Sequence, residues 1–205
     1  CYYTLKINIV GSPTITSPQA VNILSCSTNT ITELPISTTP VSITLQDFIN
    51  IGGSVSNNSL SYTISYVDVI TGSCPTVINR SYTLTTLCVT TNLTQVFTIE
   101  RPDFTLPANT SSTVACAADI VAPSVPVVTD NCGNVLVASA PSISASPTCE
   151  GNVTYTYTFT DCEGNTHNWI HTFTIEHSDF TLPANTTSTV ACAADIVAPS
   201  VPVVT

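Results

Sequence analysis

From Val153 to Thr160 the chain alternates without a break. Val153, Tyr155, Tyr157 and Phe159 fall on one side, Thr154, Thr156, Thr158 and Thr160 on the other. A period of two in β-branched and aromatic residues marks a half-buried strand. The D-C-E-G-N that follows supplies Gly164 and Asn165, residue types that accept a positive φ, so a tight turn is expected there. A second strand then places Trp169, Phe173 and Ile175 on one face. Prolines recur in A-P-S-V-P-V-V and S-A-P-S-I-S-A-S-P, where they break the chain into short strands and rule out long helices.

The pattern recurs at long range. Residues 103–129 return at 179–205 with one change, Ser111 to Thr187. C-E-G-N-V-T-Y-T-Y-T-F-T-D-C-E-G-N from Cys149 has a diverged counterpart beginning at Cys74, and both run on to T-I-E. Repetition on this scale decides the architecture. Four segments are expected: 1–12, the closing strand of a preceding repeat; 13–102, a diverged repeat; 103–178, a second repeat; and 179–205, the opening of a third. Each whole repeat holds several short strands with aromatics on one face. The predicted fold is all-β, tandem immunoglobulin-like antiparallel sandwich modules, cut as a window from a longer array.

Charge narrows the functions. The chain has 3 Lys and Arg against 13 Asp and Glu, a net charge of -10, and 8% charged residues. Such a surface cannot neutralise a row of phosphates, so nucleic acid is excluded as a partner, and an anionic membrane is disfavoured. No apolar run reaches the length of a spanning helix, so membrane insertion is not expected. Solubility has to come from Ser, Thr and Asn, or from sugars. Asn-x-Ser/Thr sequons at Asn57, Asn79, Asn92, Asn109, Asn152 and Asn185 are candidate glycosylation sites. Nine cysteines without a Cys-x-x-Cys pair point to disulfides in an oxidising, extracellular setting rather than to zinc.

The strings T-V-A-C, V-T-D-N-C-G-N, P-T-C and Y-T-F-T-D-C-E-G-N-T-H-N-W, closing in T-F-T-I-E, resemble the hyalin-repeat-like (HYR-like) domains found in tandem in very large bacterial surface proteins, especially adhesins of the Bacteroidetes type. The resemblance covers 103–205 well and 13–102 weakly, since the latter lacks D-N-C-G. It implies an immunoglobulin-like module of an extracellular stalk or adhesive fibre, and it brings no catalytic residue.

If each repeat closes on itself, its cysteines should pair internally. Cys149 and Cys162 flank a strand of roughly ten residues, about 30 Å long, whereas bridged Cα atoms lie within about 7 Å. They are therefore not expected to join. Sandwich poles then suggest Cys116–Cys162, Cys132–Cys149 and, in the diverged repeat, Cys26–Cys88. Cys74 is left without a partner or linked to another chain, and the partners of Cys1 and Cys192 are expected outside the window.

Other chemistry is thinner. His167, His171 and His177 lie near Trp169 on the last strand, but no other repeat carries equivalents, which argues for a partly buried strand face over a metal site. Glu100 with Asp103, and Glu176 with Asp179, could hold calcium at the junctions, aided by Asp119, Asp130, Asp161 or Glu163, yet no Asp-x-Asp-x-Asp loop exists. The face of Thr154, Thr156, Thr158 and Thr160, beside Thr172 and Thr174, is first read as cross-strand pairing on a solvated sheet. No Gly-x-Ser-x-Gly occurs, and the histidines sit in one repeat, so no enzyme is expected. The expected function is structural: disulfide-stapled modules strung head to tail in a cell-surface or secreted fibre. Its partners are neighbouring repeats of the same chain, with lateral self-association and glycans as further candidates. The alternative is a glycan- or surface-binding module using the D-N-C-G-N and D-C-E-G-N loops.

Overall fold

The computed structural model describes residues 11–204. Cys1 and most of the segment expected as a closing strand, 1–12, lie outside the described residues. In chain order the elements begin with β1 (Ile15–Thr16), β2 (Val21–Leu24), β3 (Val41–Ile43), α1 (Leu45–Asn50), β4 (Ser54–Val55) and β5 (Thr63–Thr71). Next come β6 (Thr76–Thr85), β7 (Thr90–Glu100), β8 (Thr110–Val114), β9 (Val128–Thr129) and β10 (Val135–Leu136). β11 (Ser142–Ile143), β12 (Gly151–Thr160) and β13 (Thr166–Ile175) follow, and short 3-10 turns lie at Thr28–Thr30, Ala117–Asp119 and Ala193–Asp195. The all-β expectation holds, and no helix among the described residues is long and apolar enough to cross a membrane.

The chain forms two compact units that do not follow the repeat boundary at residue 103. Unit one contains the described residues through Pro107 together with Pro126–Ala138 and Thr158–His167. Unit two contains Ala108–Val125, Ser139–Tyr157 and the residues from Asn168 onward. Two loops of the second repeat thus belong to the body built by the first.

Unit one is organised by a five-stranded sheet of order β2-β7-β6-β5-β3. The three long strands pair antiparallel, as alternation predicts, but β2 lies parallel to β7. A parallel edge strand is compatible with a sandwich because β2 and β7 are far apart in the chain and need no tight turn. β6 buries every second residue, Ile78, Arg80, Tyr82 and Leu84, and β5 adds Ile64 and Tyr66. The helix α1 was not anticipated. Its signal is Thr44-Leu-Gln-Asp47: the Thr44 side chain accepts the Asp47 amide while the Asp47 carboxylate takes the Thr44 amide. This turn delivers Phe48, fully buried, edge-on to Tyr82 at 5.4 Å between ring centres.

A polar row crosses the same sheet. Asp68 faces Arg80 and Arg80 faces Gln95 in register, and all three are buried. Arg80 donates to both oxygens of Asp68, at 2.8 and 2.9 Å, and its guanidinium lies 4.4 Å from the centre of the Tyr66 ring. Ser37 N also donates to Asp68, Tyr82 donates its hydroxyl proton to Gln95, and Gln95 donates to the Gln19 carbonyl. Burial is tolerated because every group has a partner; no buried side-chain N or O among the described residues is left unsatisfied.

Unit two is built on the sheet β11-β12-β13-β8, again with a parallel edge, β8 along β13. Val153 and Tyr157 of β12 and Trp169, Phe173 and Ile175 of β13 are buried, on the faces that alternation assigned.

Candidate functional site: two cysteine loops of one design

Asp130-Asn-Cys-Gly-Asn134 and Asp161-Cys-Glu-Gly-Asn165 share the pattern D-x-x-G-N, and the backbone repeats with it. In the first loop, Asp130 N donates to Asn134 O and Gly133 N to Asp130 O; in the second, Asp161 N donates to Asn165 O and Gly164 N to Asp161 O. One oxygen of each carboxylate accepts two loop amides: Cys132 and Asn134 donate to Asp130, Glu163 and Asn165 to Asp161. The other accepts the Asn side chain at 2.8 Å. Gly133 and Gly164 have φ of 85° and 90°, which explains the glycine, while Asn165 keeps a negative φ, contrary to the expectation of a permissive role there. Burial alone would raise these carboxyls, but the Asn134 side chain and amide, the Cys132 amide and Arg101 outweigh it and lower Asp130; Asn165 and the loop amides lower Asp161.

Each loop brings a cysteine to the first repeat. Cys132 is bonded to Cys26, Cα atoms 5.4 Å apart, and Cys162 to Cys74, 5.8 Å apart. None of the three expected pairs forms: Cys26–Cys88, Cys116–Cys162 and Cys132–Cys149 are replaced, and Cys74 is bonded rather than left over. Cys88, Cys116, Cys149 and Cys192 are free and exposed. The expectation failed because it closed each repeat on itself, whereas the loops are taken up by the preceding repeat's body. A signal was present. The first repeat holds three cysteines, Cys26, Cys74 and Cys88, and an odd count requires a partner elsewhere or a free thiol. The expectation that Cys149 and Cys162 do not join agrees with the structure.

Polar contacts seat the loops further. Arg101 donates its amide to Glu163 at 2.6 Å and its guanidinium to Asp130 at 3.2 Å. Asn131 donates to the Asp103 carbonyl, and His167 meets the Asp103 carboxylate at 3.0 Å while standing edge-on to Phe104. Phe104 is 2% exposed.

The three histidines are not gathered: His167 is on Asp103, His171 bonds Thr110 and Ser112, and His177 donates its amide to Glu150. Among the described residues no group of three or more His, Cys, Asp or Glu could hold a metal ion. Asp103, Asp130, Asp161 and Glu163, weighed for calcium, are engaged in the contacts above. Of the sequons, Asn92, Asn109, Asn152 and Asn185 are exposed, and Asn57 and Asn79 half-buried. In the loops weighed for glycan binding the carboxylates are already engaged: Asp130 and Asp161 accept their own loop amides, Asp130 also meets Arg101, and Glu163 accepts the Arg101 amide.

No curated protein matches the chain. Residues 104–175, which hold Cys116, Cys132, Cys149 and Cys162, match the family described as the HYR-like domain with 4 cysteines, and that stretch is therefore similar to a four-cysteine repeat module.

Proposed function

We propose that the chain is a non-enzymatic segment of a long extracellular fibre or stalk, in which modules run head to tail and each is locked to the next. The observation that carries this reading is the pair of bonds Cys26–Cys132 and Cys74–Cys162, which join the body of one repeat to loops of the repeat that follows. Covalent ties between consecutive repeats suit a part that transmits load. Disulfides fit an oxidising setting outside the cytoplasm, as does similarity to the HYR-like domain. The low charge and the sequons fit a hydroxyl-rich coat carrying sugars on exposed asparagines. In such arrays stability is local to a repeat and its neighbours, so repeats can be added by duplication without unfolding the rest. The near-identity of 103–129 and 179–205 is consistent with that history.

Immunogold electron microscopy with antibodies against residues 103–178 tests the reading on cells that make the protein. Label strung along surface strands is the expected result; label confined to the cytoplasm overturns it.

A further inference from the structure

The free cysteines are not scattered. Cys26 lies just past the end of β2, which runs parallel to β7, and is followed by the 3-10 turn Thr28–Thr30. Cys116 holds the same place past β8, parallel to β13, before the turn Ala117–Asp119. Cys74 precedes β6 by two residues, and Cys149 precedes β12 by two. Cys116 and Cys149 are therefore unit two's equivalents of the two cysteines that unit one uses to capture loops.

A second contrast is independent of sulfur. Phe104 is 2% exposed, while Phe180, the same position one repeat later, is 68% exposed; Val128 is 3% exposed and its equivalent Val204 43%. In unit one, His167 at the start of β13 packs on Phe104 and Asn131 of the first loop binds the Asp103 carbonyl, so the second repeat's loop and strand start cover this corner. Unit two contains no D-x-x-G-N sequence, and its corner is bare.

Resting on the in-line arrangement argued above, we propose that Cys116 and Cys149 are the acceptor half of the next inter-repeat lock: they take the cysteines of the D-N-C-G-N and D-C-E-G-N loops of a following repeat, which also cover Phe180. The same rule places the other free thiols. Cys88 occupies the β6–β7 hairpin as Cys162 occupies the β12–β13 hairpin, which makes it the donor to a preceding repeat. Cys192, in the copy of the Cys116 segment, is the acceptor one step further on. For each bond, two thiols give up two protons and two electrons and their sulfurs join. A small-molecule or protein disulfide is reduced to two thiols in exchange.

The test extends the full chain after Thr205 with a second copy of residues 130–178, carrying Val135→Ile and Thr166→Ser as mass markers at exposed sites. After refolding with oxidised and reduced glutathione, thiols are alkylated and a non-reducing digest is read by mass spectrometry. The expected peptides join Cys116 to the marked copy of Cys132 and Cys149 to the marked copy of Cys162, with alkylation at both acceptors falling at least tenfold relative to the unextended chain. Alkylated Cys116 and Cys149, alongside intact Cys26–Cys132 and Cys74–Cys162, overturn this inference while leaving the in-line reading standing. A digest lacking the Cys26–Cys132 and Cys74–Cys162 peptides overturns both.

Discussion

Replacing Cys132 by Ser opens the Cys26–Cys132 bridge, which spans 106 residues. In the chain-entropy model a loop of that length restrains the unfolded chain by about 4.8 kcal/mol at 25 °C. The second bridge, spanning 88 residues, shortens the route between Cys26 and Cys132. Through it the effective loop is roughly 78 residues, and because the dependence is logarithmic the loss falls only to about 4.5 kcal/mol. We expect unit one to lose about 4 kcal/mol in Cys132→Ser and the same in Cys26→Ser. The double variant should lose no more than either, within about 0.5 kcal/mol, because the two side chains make one bond. Cys88→Ser and Cys149→Ser, at exposed free thiols, should stay within about 0.5 kcal/mol of the parent. Urea unfolding reads both units: the fluorescence of Trp169, the one tryptophan, follows unit two, while the near-ultraviolet dichroism carries Tyr62, Tyr66 and Tyr82 of unit one together with Tyr155 and Tyr157 of unit two, so a step seen in the dichroism and absent from the fluorescence belongs to unit one. A large loss in Cys88→Ser with none in Cys132→Ser would refute the reasoning.

Three further outcomes are expected. Asp68→Asn leaves the Arg80 cation buried without its anion and should cost about 3–5 kcal/mol by urea unfolding, whereas replacing both, Asp68→Leu with Arg80→Met, should cost less than the single change. Burial pushes the Tyr82 hydroxyl up to about 12 from 10.0. A raised folded value means that this contribution is complete below about pH 10 and is lost as pH climbs toward 12; thermal melts should fall across that window and fall less in Tyr82→Phe. Gly133→Ala and Gly164→Ala, each at a positive φ, should cost about 1–2 kcal/mol and raise exposure of the neighbouring disulfide to a reducing phosphine, read as faster reduction.

The strands were legible because alternation reports directly on a sheet with one buried face, as Val153 to Phe159 and Trp169 to Ile175 show. The helix at Leu45–Asn50 was missed although its capping pair, Thr44 and Asp47, stands in the sequence; the surrounding β-branched residues outweighed it. Arg80 could not be foreseen as a core residue, since its burial depends on Asp68 across a strand pair whose register no local pattern fixes. The cysteines were misassigned for a related reason. Repetition marks where a unit of sequence recurs, not where a unit of packing closes, and here the loops at 130–134 and 161–165 complete the body that precedes them. Their common D-x-x-G-N form stands in the sequence, but only the turn at Gly164 was read from it; the shared pattern shows once both loops are seen to make the same hydrogen bonds.

The central claim is that consecutive repeats are joined by sulfur, and disulfide mapping of the 205-residue chain addresses it most directly. Thiols are blocked at low pH before digestion, and the cross-linked peptides are sequenced without reduction. The account predicts Cys26 with Cys132 and Cys74 with Cys162, and label on Cys88, Cys116 and Cys149. Recovery of Cys26 with Cys88 and of Cys116 with Cys162 would mean that each repeat closes on itself, and would contradict it.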